Sequence, residues 1–181
     1  MMSRLSKNIG YWVLKKRFGK ISRDKSVQNF ETASSAVIVF DTMLSDSLQP
    51  IKEFTKFLKK QQIKTSVLGH VNGKEIPQEM MLWPGIDFLT RKNVNWYGCP
   101  KGEIADAYFG KQPDMLFVIA FEENLTIEYL ARLSLAKFKV GRFTENENDL
   151  DLMINLENKD CRVGYFLEQI KHYIHMLNPS K

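Results

Sequence analysis

Several ingredients of common protein classes are scarce or missing. Two cysteines, Cys99 and Cys161, in 181 residues cannot build a disulfide framework or complete a structural zinc site alone. The longest unbroken apolar run, Met115 to Phe121, is far shorter than the stretch of about 20 residues that a membrane-spanning helix needs. No long apolar stretch with a small-residue cleavage site opens the chain, so the expected compartment is the cytoplasm. Gly69 and Gly73 stand isolated, with no Gly-Lys-Ser and no Gly-x-Gly-x-x-Gly, which argues against a phosphate-cradling loop and a bound nucleotide. No cofactor is expected. Repeats and low-complexity segments are absent as well.

What is present belongs to an ordinary globular chain, at 44% hydrophobic and 26% charged residues, long enough for one core and too short for two. The net charge of +5 is unevenly spread. Residues 1–25 hold eight basic side chains against the single acid Asp24, whereas the remainder carries 18 basic and 20 acidic residues. The body is therefore nearly neutral, and a general nucleic-acid-binding surface is not expected.

The basic arm also contains Ile9, Tyr11, Trp12, Val13, Leu14, Phe18 and Ile21. A helix over residues 8–20 is expected, and three roles compete for it. It docks on the protein's own core, lies on an anionic membrane surface through Trp12, Lys15, Lys16 and Arg17, or binds RNA. A protein partner or an anionic membrane is the candidate occupant of that surface. Ser22–Ser35, with eleven of fourteen residues outside the apolar class, reads as a linker or irregular cover. The expected division is a basic helix and linker over 1–35 and an α/β domain over 36–181.

From residue 36, apolar runs of strand length alternate with helical patterns, the signature of a parallel sheet with crossover helices. Strands are expected at Ala36–Phe40, Thr65–Val71, Val94–Tyr97, Met115–Phe121, Lys139–Phe143 and Leu150–Leu156. A helix capped by Asp46 or Ser47 carries Ile51, Phe54, Phe57 and Leu58 inward. A brief helix over 101–109 and one capped by Asn124 or Thr126 follow. The last helix, after Asp160, repeats Val163, Phe166, Leu167, Ile170, Tyr173, Ile174 and Leu177 at intervals of three and four. Pro77–Asn93, with Trp83-Pro84-Gly85, reads as the least regular stretch. The fold class is thus α/β, a single Rossmann-like domain. Its mostly parallel sheet has five or six strands with helices on both faces.

The run Val37–Asp41, the string Phe88–Gly98 and the block Asp114–Phe121 resemble a family of short uncharacterised Bacteroidetes proteins, a domain of unknown function, over most of residues 36–177. That resemblance implies no activity. Tyr129–Lys137 followed by Val140–Phe143 is similar to a helix-then-strand stretch in the N-terminal half of heptosyltransferase-type glycosyltransferases. There it implies packing, with small residues seating the helix and Gly141 letting the strand turn. No catalytic residue is transferred, since those enzymes bind sugar nucleotide chiefly in a second domain.

In an open doubly wound sheet, ligands sit beyond the carboxyl ends of the strands. That rule gathers Asp41 and Thr42, His70 and Asn72, Glu122 and Glu123, and Arg142 and Thr144 as candidates for base, acid and anion anchor. Strand ends are also polar simply because the chain leaves the core there. Asp41 does not match a phosphohydrolase nucleophile, because Met43 stands where a second Asp is required. Cys99 before a short helix is either a reactive thiol or, more simply, a residue in a turn. Glu168, His172 and His175 share a helical face, but it is the face opposite the apolar stripe, where solvated residues belong; no metal site is assigned. With catalytic constellations failing in turn, the leading reading is a non-catalytic binding or interaction protein. The alternatives are a small ligand-binding domain or enzyme using the strand ends, and RNA binding through the arm.

Overall fold

The computed structural model describes residues 3–44, 47–156 and 162–178. Its central strand, β1 (Ser35–Asp41), holds Ala36 to Phe40 at no more than 3% exposure, as a parallel strand covered on both faces must. Side chains alternate across it. Ala36, Ile38 and Phe40 join one apolar layer, and Val37 and Val39 the other.

The sheet has six strands, all parallel, in the order β3-β2-β1-β4-β5-β6. Besides β1 they are β2 (Lys64–His70), β3 (Ile86–Leu89), β4 (Met115–Ile119), β5 (Phe138–Arg142) and β6 (Leu152–Ile154). Because β2 and β4 flank β1 on opposite sides, right-handed crossovers send their helices to opposite faces. Accordingly α2 (Leu48–Lys60) and α6 (Val163–Met176) cover the Ile38 face, the former through Ile51, Phe54 and Leu58. On the Val39 face lie α4 (Glu103–Phe109) and α5 (Leu125–Leu133), which bury Ala105, Tyr108, Ile127 and Leu130. The Rossmann-like α/β expectation holds.

The first helix, α1 (Arg4–Phe18), starts with Ser3, whose hydroxyl accepts from the Ser6 N–H, a favoured N-cap. It packs on α5, where Leu14 joins Leu125, Tyr129 and Leu133 in a separate apolar cluster. Gly10 makes this approach possible: a Cβ there would fall on the Tyr97 carbonyl oxygen and 2.6 Å from Leu125 Cδ2. The stretch after α1 is irregular but tethered, since Phe30 and Ala33 are buried. The Arg23 guanidinium, 2% exposed, binds Asp149 at 3.1 Å and Asp151 at 2.7 Å. Lys139, fully buried on β5, donates to the Ala131 carbonyl at the end of α5 and pairs with Asp149 at 2.7 Å. Burial pulls its ammonium down to about 8 against the opposing pull of Asp149.

Three expectations need correction. Val94–Tyr97 is not a strand: Val94 makes one isolated bridge to Pro100, and the Asn95 side chain turns the chain by accepting from the Tyr97 and Cys99 N–H groups. The true third strand, β3, and a short helix, α3 (Gln78–Met81), lie inside the stretch read as irregular. Gly141 sits within β5, not at a turn, and there a Cβ would stand 2.8 Å from Leu150 Cδ1. Of the capping candidates for α2, Ser47 makes no side-chain cap bond, while Asp46, like Asp160 and Cys161, lies outside the described residues.

Candidate functional site

Between β1 and β4 the strand order reverses, and the chain leaves these neighbouring strands toward opposite faces. A crevice opens where they part. Here it is a cleft of about 480 Å³ reached by Asp41 from β1, His70 from β2 and Glu122, Glu123 and Asn124 from the β4–α5 loop.

The floor of this cleft has a determinate hydrogen-bond pattern. Asn124 caps α5, its side-chain oxygen accepting from the Ile127 N–H at 3.3 Å. Its amide nitrogen therefore faces the other way. That nitrogen donates to Asp41 Oδ2 at 2.8 Å and meets His70 Nδ1 at 2.9 Å. Both amide hydrogens are thus spent, and His70 Nδ1 must accept, which leaves the imidazole proton on Nε2. His70 is 5% exposed, and this burial lowers its pKa against the opposing charge of Asp41. The ring is a neutral donor, and Nε2 has no hydrogen-bond partner among the described residues. Asp41 Oδ1 in turn accepts from the Met43 N–H at 2.9 Å.

Two further elements wall the cleft. From α1 come Lys7 and Tyr11. The Tyr11 hydroxyl donates to Glu128 Oε1 at 3.1 Å, and burial first, then Glu128, pushes its pKa up to about 12. The second is the loop after β3, with Arg91, Asn95 and Trp96. Thr90 and Asn93 hold that loop in a reciprocal capping box, and its far end is tied down where the Thr126 hydroxyl donates to the Gly98 carbonyl at 3.1 Å.

Of the strand-end residues expected to form a site, Asp41, His70, Asn72, Glu122 and Glu123 line this one cleft. Thr42 is used structurally: its N–H and hydroxyl both donate to the His70 carbonyl. Arg142 points elsewhere, into a second cleft of about 350 Å³ between the β4–α5 and β5–β6 loops. There it donates to the Phe121 carbonyl at 2.6 Å, and Thr144 lines the same cleft. Glu122, Glu123 and Asn124 form the ridge shared by both clefts. Strand-end reasoning missed Lys7, Tyr11, Arg91 and Trp96, which come from a helix and a loop. Asn124 was legible only as a cap.

The remaining candidates lie outside both clefts. Cys99 is buried, and the helix after it begins beyond Gly102. Burial raises its thiol pKa against the pull of Arg17, whose Nη1 lies 3.2 Å from Sγ. On α6, Glu168 pairs with Lys171 at 2.7 Å, and the His175 ring lies 6.1 Å from that of Phe30. In the arm, Trp12, Lys15, Lys16 and Arg17 are exposed, with Trp12 at 64%.

The chain matches the model of a family of unknown function, DUF6913, over residues 7–177, and belongs to that family. No curated protein matches it.

Proposed function

We propose that the protein is a non-catalytic binding protein whose small polar ligand occupies the cleft between the ends of β1 and β4. The observation that carries this reading is the 2.9 Å contact of the Asn124 amide nitrogen with His70 Nδ1, which assigns the imidazole proton to Nε2. A general base at Nε2 needs a free lone pair there, and so a proton on Nδ1, where the Asn124 amide already presents a hydrogen. Releasing that contact also breaks the Asn124 bond to Asp41. The arrangement favours donating a hydrogen bond over accepting a proton. The likeness of residues 129–143 to heptosyltransferase-type enzymes enters only through the packing of α5 on β5 and supplies no reacting group.

Amide and side-chain NMR with a set of small polar fragments tests this. Binders should shift the resonances of His70, Asn124 and Trp96. If every binder instead maps to the cleft beside Arg142 or to α1, the reading is wrong.

A second reading concerns α1. Its buried residues Ser6, Gly10 and Leu14 define one face, and opposite them Leu5, Ile9, Trp12 and Lys16 follow at helical spacing. Leu5 is 69% exposed. Arg4, Lys15, Lys16 and Lys20 are also exposed, and residues 3–18 contain no acid. An anionic bilayer suits an apolar stripe flanked by bases, each base near the surface contributing on the order of 1 kcal/mol. RNA is less favoured, because Arg23 and Lys25 are committed to Asp149 and Arg17 is turned onto Cys99. Co-sedimentation with anionic but not neutral liposomes at low salt is expected, with loss in Trp12→Ala. Equal binding of wild type and variant would exclude the helix as the contact.

A further inference from the structure

We propose that the ligand of the β1–β4 cleft is a neutral, hydroxyl-rich molecule of monosaccharide size; the inference rests on reading that cleft as the ligand site. Its first support is His70, a side chain 5% exposed that lines the cleft and whose Nε2 hydrogen has no partner among the described residues. That hydrogen opens onto the cleft, where an acceptor oxygen of a ligand can take the place of water. The second is the company it keeps. Asp41, Glu122 and Glu123 line the same cleft, and carboxylates offer only acceptors. A hydroxyl donates and accepts through one oxygen, so it can bridge an N–H such as that of His70 and a carboxylate such as Asp41. An ammonium cannot accept, and a fully ionised phosphate ester cannot donate.

Charge narrows the class further. Three carboxylates repel an anion, while exposed Lys7 and Arg91 on the same cleft oppose a cation. The small net excess of one carboxylate disfavours an anion and leaves little pull on a cation, which suits a neutral ligand. Asn95 adds another donor, since its oxygen is taken by the Tyr97 and Cys99 N–H groups and its amide nitrogen has no hydrogen-bond partner among the described residues. Trp96 supplies the apolar part. It is 65% exposed and sits edge-to-face with Tyr97 at 5.2 Å, so an indole face remains for the C–H side of a ring to stack upon. The cleft volume of about 480 Å³ holds a six-membered ring and bridging waters.

The chain has three tryptophans, so Trp12→Phe with Trp83→Phe leaves Trp96 as the only indole. Its fluorescence is titrated with glucose, mannose and myo-inositol, and in parallel with inorganic phosphate, AMP and putrescine at matched ionic strength. The His70 and Asn124 resonances are followed in the same samples. A saturable response to at least one neutral polyol is expected, weakened tenfold or more by Trp96→Ala, read calorimetrically, and by His70→Phe. Trp96 is exposed, so its variant keeps the test valid should His70→Phe fail to fold. If phosphate, AMP or putrescine saturates these resonances and no polyol does, the ligand class is wrong and the cleft stands. If no probe moves them, the polyol inference is wrong. Saturation confined to residues outside the cleft overturns the inference and the binding reading together.

Discussion

Asp114 holds the entry to the sheet through more bonds than any other carboxylate described. Its Oδ2 accepts from the N–H and hydroxyl of both Ser34 and Ser35 at 2.8–3.0 Å, and Oδ1 pairs with Lys137 at 2.9 Å. Burial alone would raise its pKa, but the bonds from Lys137, Ser34 and Ser35 prevail and hold the carboxyl well below the usual range. In the unfolded chain the group protonates near pH 4. Its contribution is therefore complete above that value and is lost as acid is added, because the unfolded state takes the proton first. Asp114→Ala should cost about 3 kcal/mol in urea unfolding at pH 7, as the charged hydrogen bonds to Ser34, Ser35 and Lys137 are lost. Between pH 7 and 3.5 the wild type should lose more stability than the variant. Equal losses would contradict this assignment. In the sequence Asp114 does no more than open the block Asp114–Phe121. Likewise, Asn124 is visible as a cap, yet its bonds to Asp41 and His70 span 83 and 54 positions, and no local pattern reports them.

Among elements, those with a strong local pattern were legible. β1 and β4 are runs of buried apolar residues bounded by turn formers, β2 and β5 bury shorter apolar sets, Val67 with Leu68 and Phe138 with Val140, and α2, α5 and α6 carry an apolar stripe at helical spacing. β3 was not legible because it is four residues long and follows Trp83-Pro84-Gly85. Its pairing with β2 makes it a strand, and pairing is not local. For α1 the sequence permits several partners, and packing on α5 turns on one glycine. Gly10→Val places side-chain atoms against the Tyr97 carbonyl and Leu125, and it strains the bond from the Tyr129 hydroxyl to the Gly10 carbonyl. Overpacking of this kind costs about 1–3 kcal/mol. The expected result is an arm cleaved by trypsin at Lys15, Lys16 or Arg17 while the α/β core survives. Unchanged resistance would mean that α1 does not depend on this contact.

At the scale of the molecule, one topological fact organises the cleft. Strand order 3-2-1-4-5-6 reverses between β1 and β4, and the carboxyl ends there bring together residues that the sequence scatters over more than 80 positions. Asp41, His70, Asn72, Glu122 and Glu123 were foreseeable from that rule alone. The walls were not, because α1 and the loop after β3 reach the cleft by tertiary packing. The central claim is that this cleft presents His70 as a neutral donor, with its proton on Nε2. Long-range ¹⁵N–¹H correlation of the imidazole tests it directly. Burial sets the pKa of His70 below its ordinary value of about 6.5, so at pH 6.5 and 7.5 the ring should be predominantly neutral, protonated at Nε2 and bare at Nδ1. A proton on Nδ1, or half-protonation at or above pH 6.5, would contradict the account.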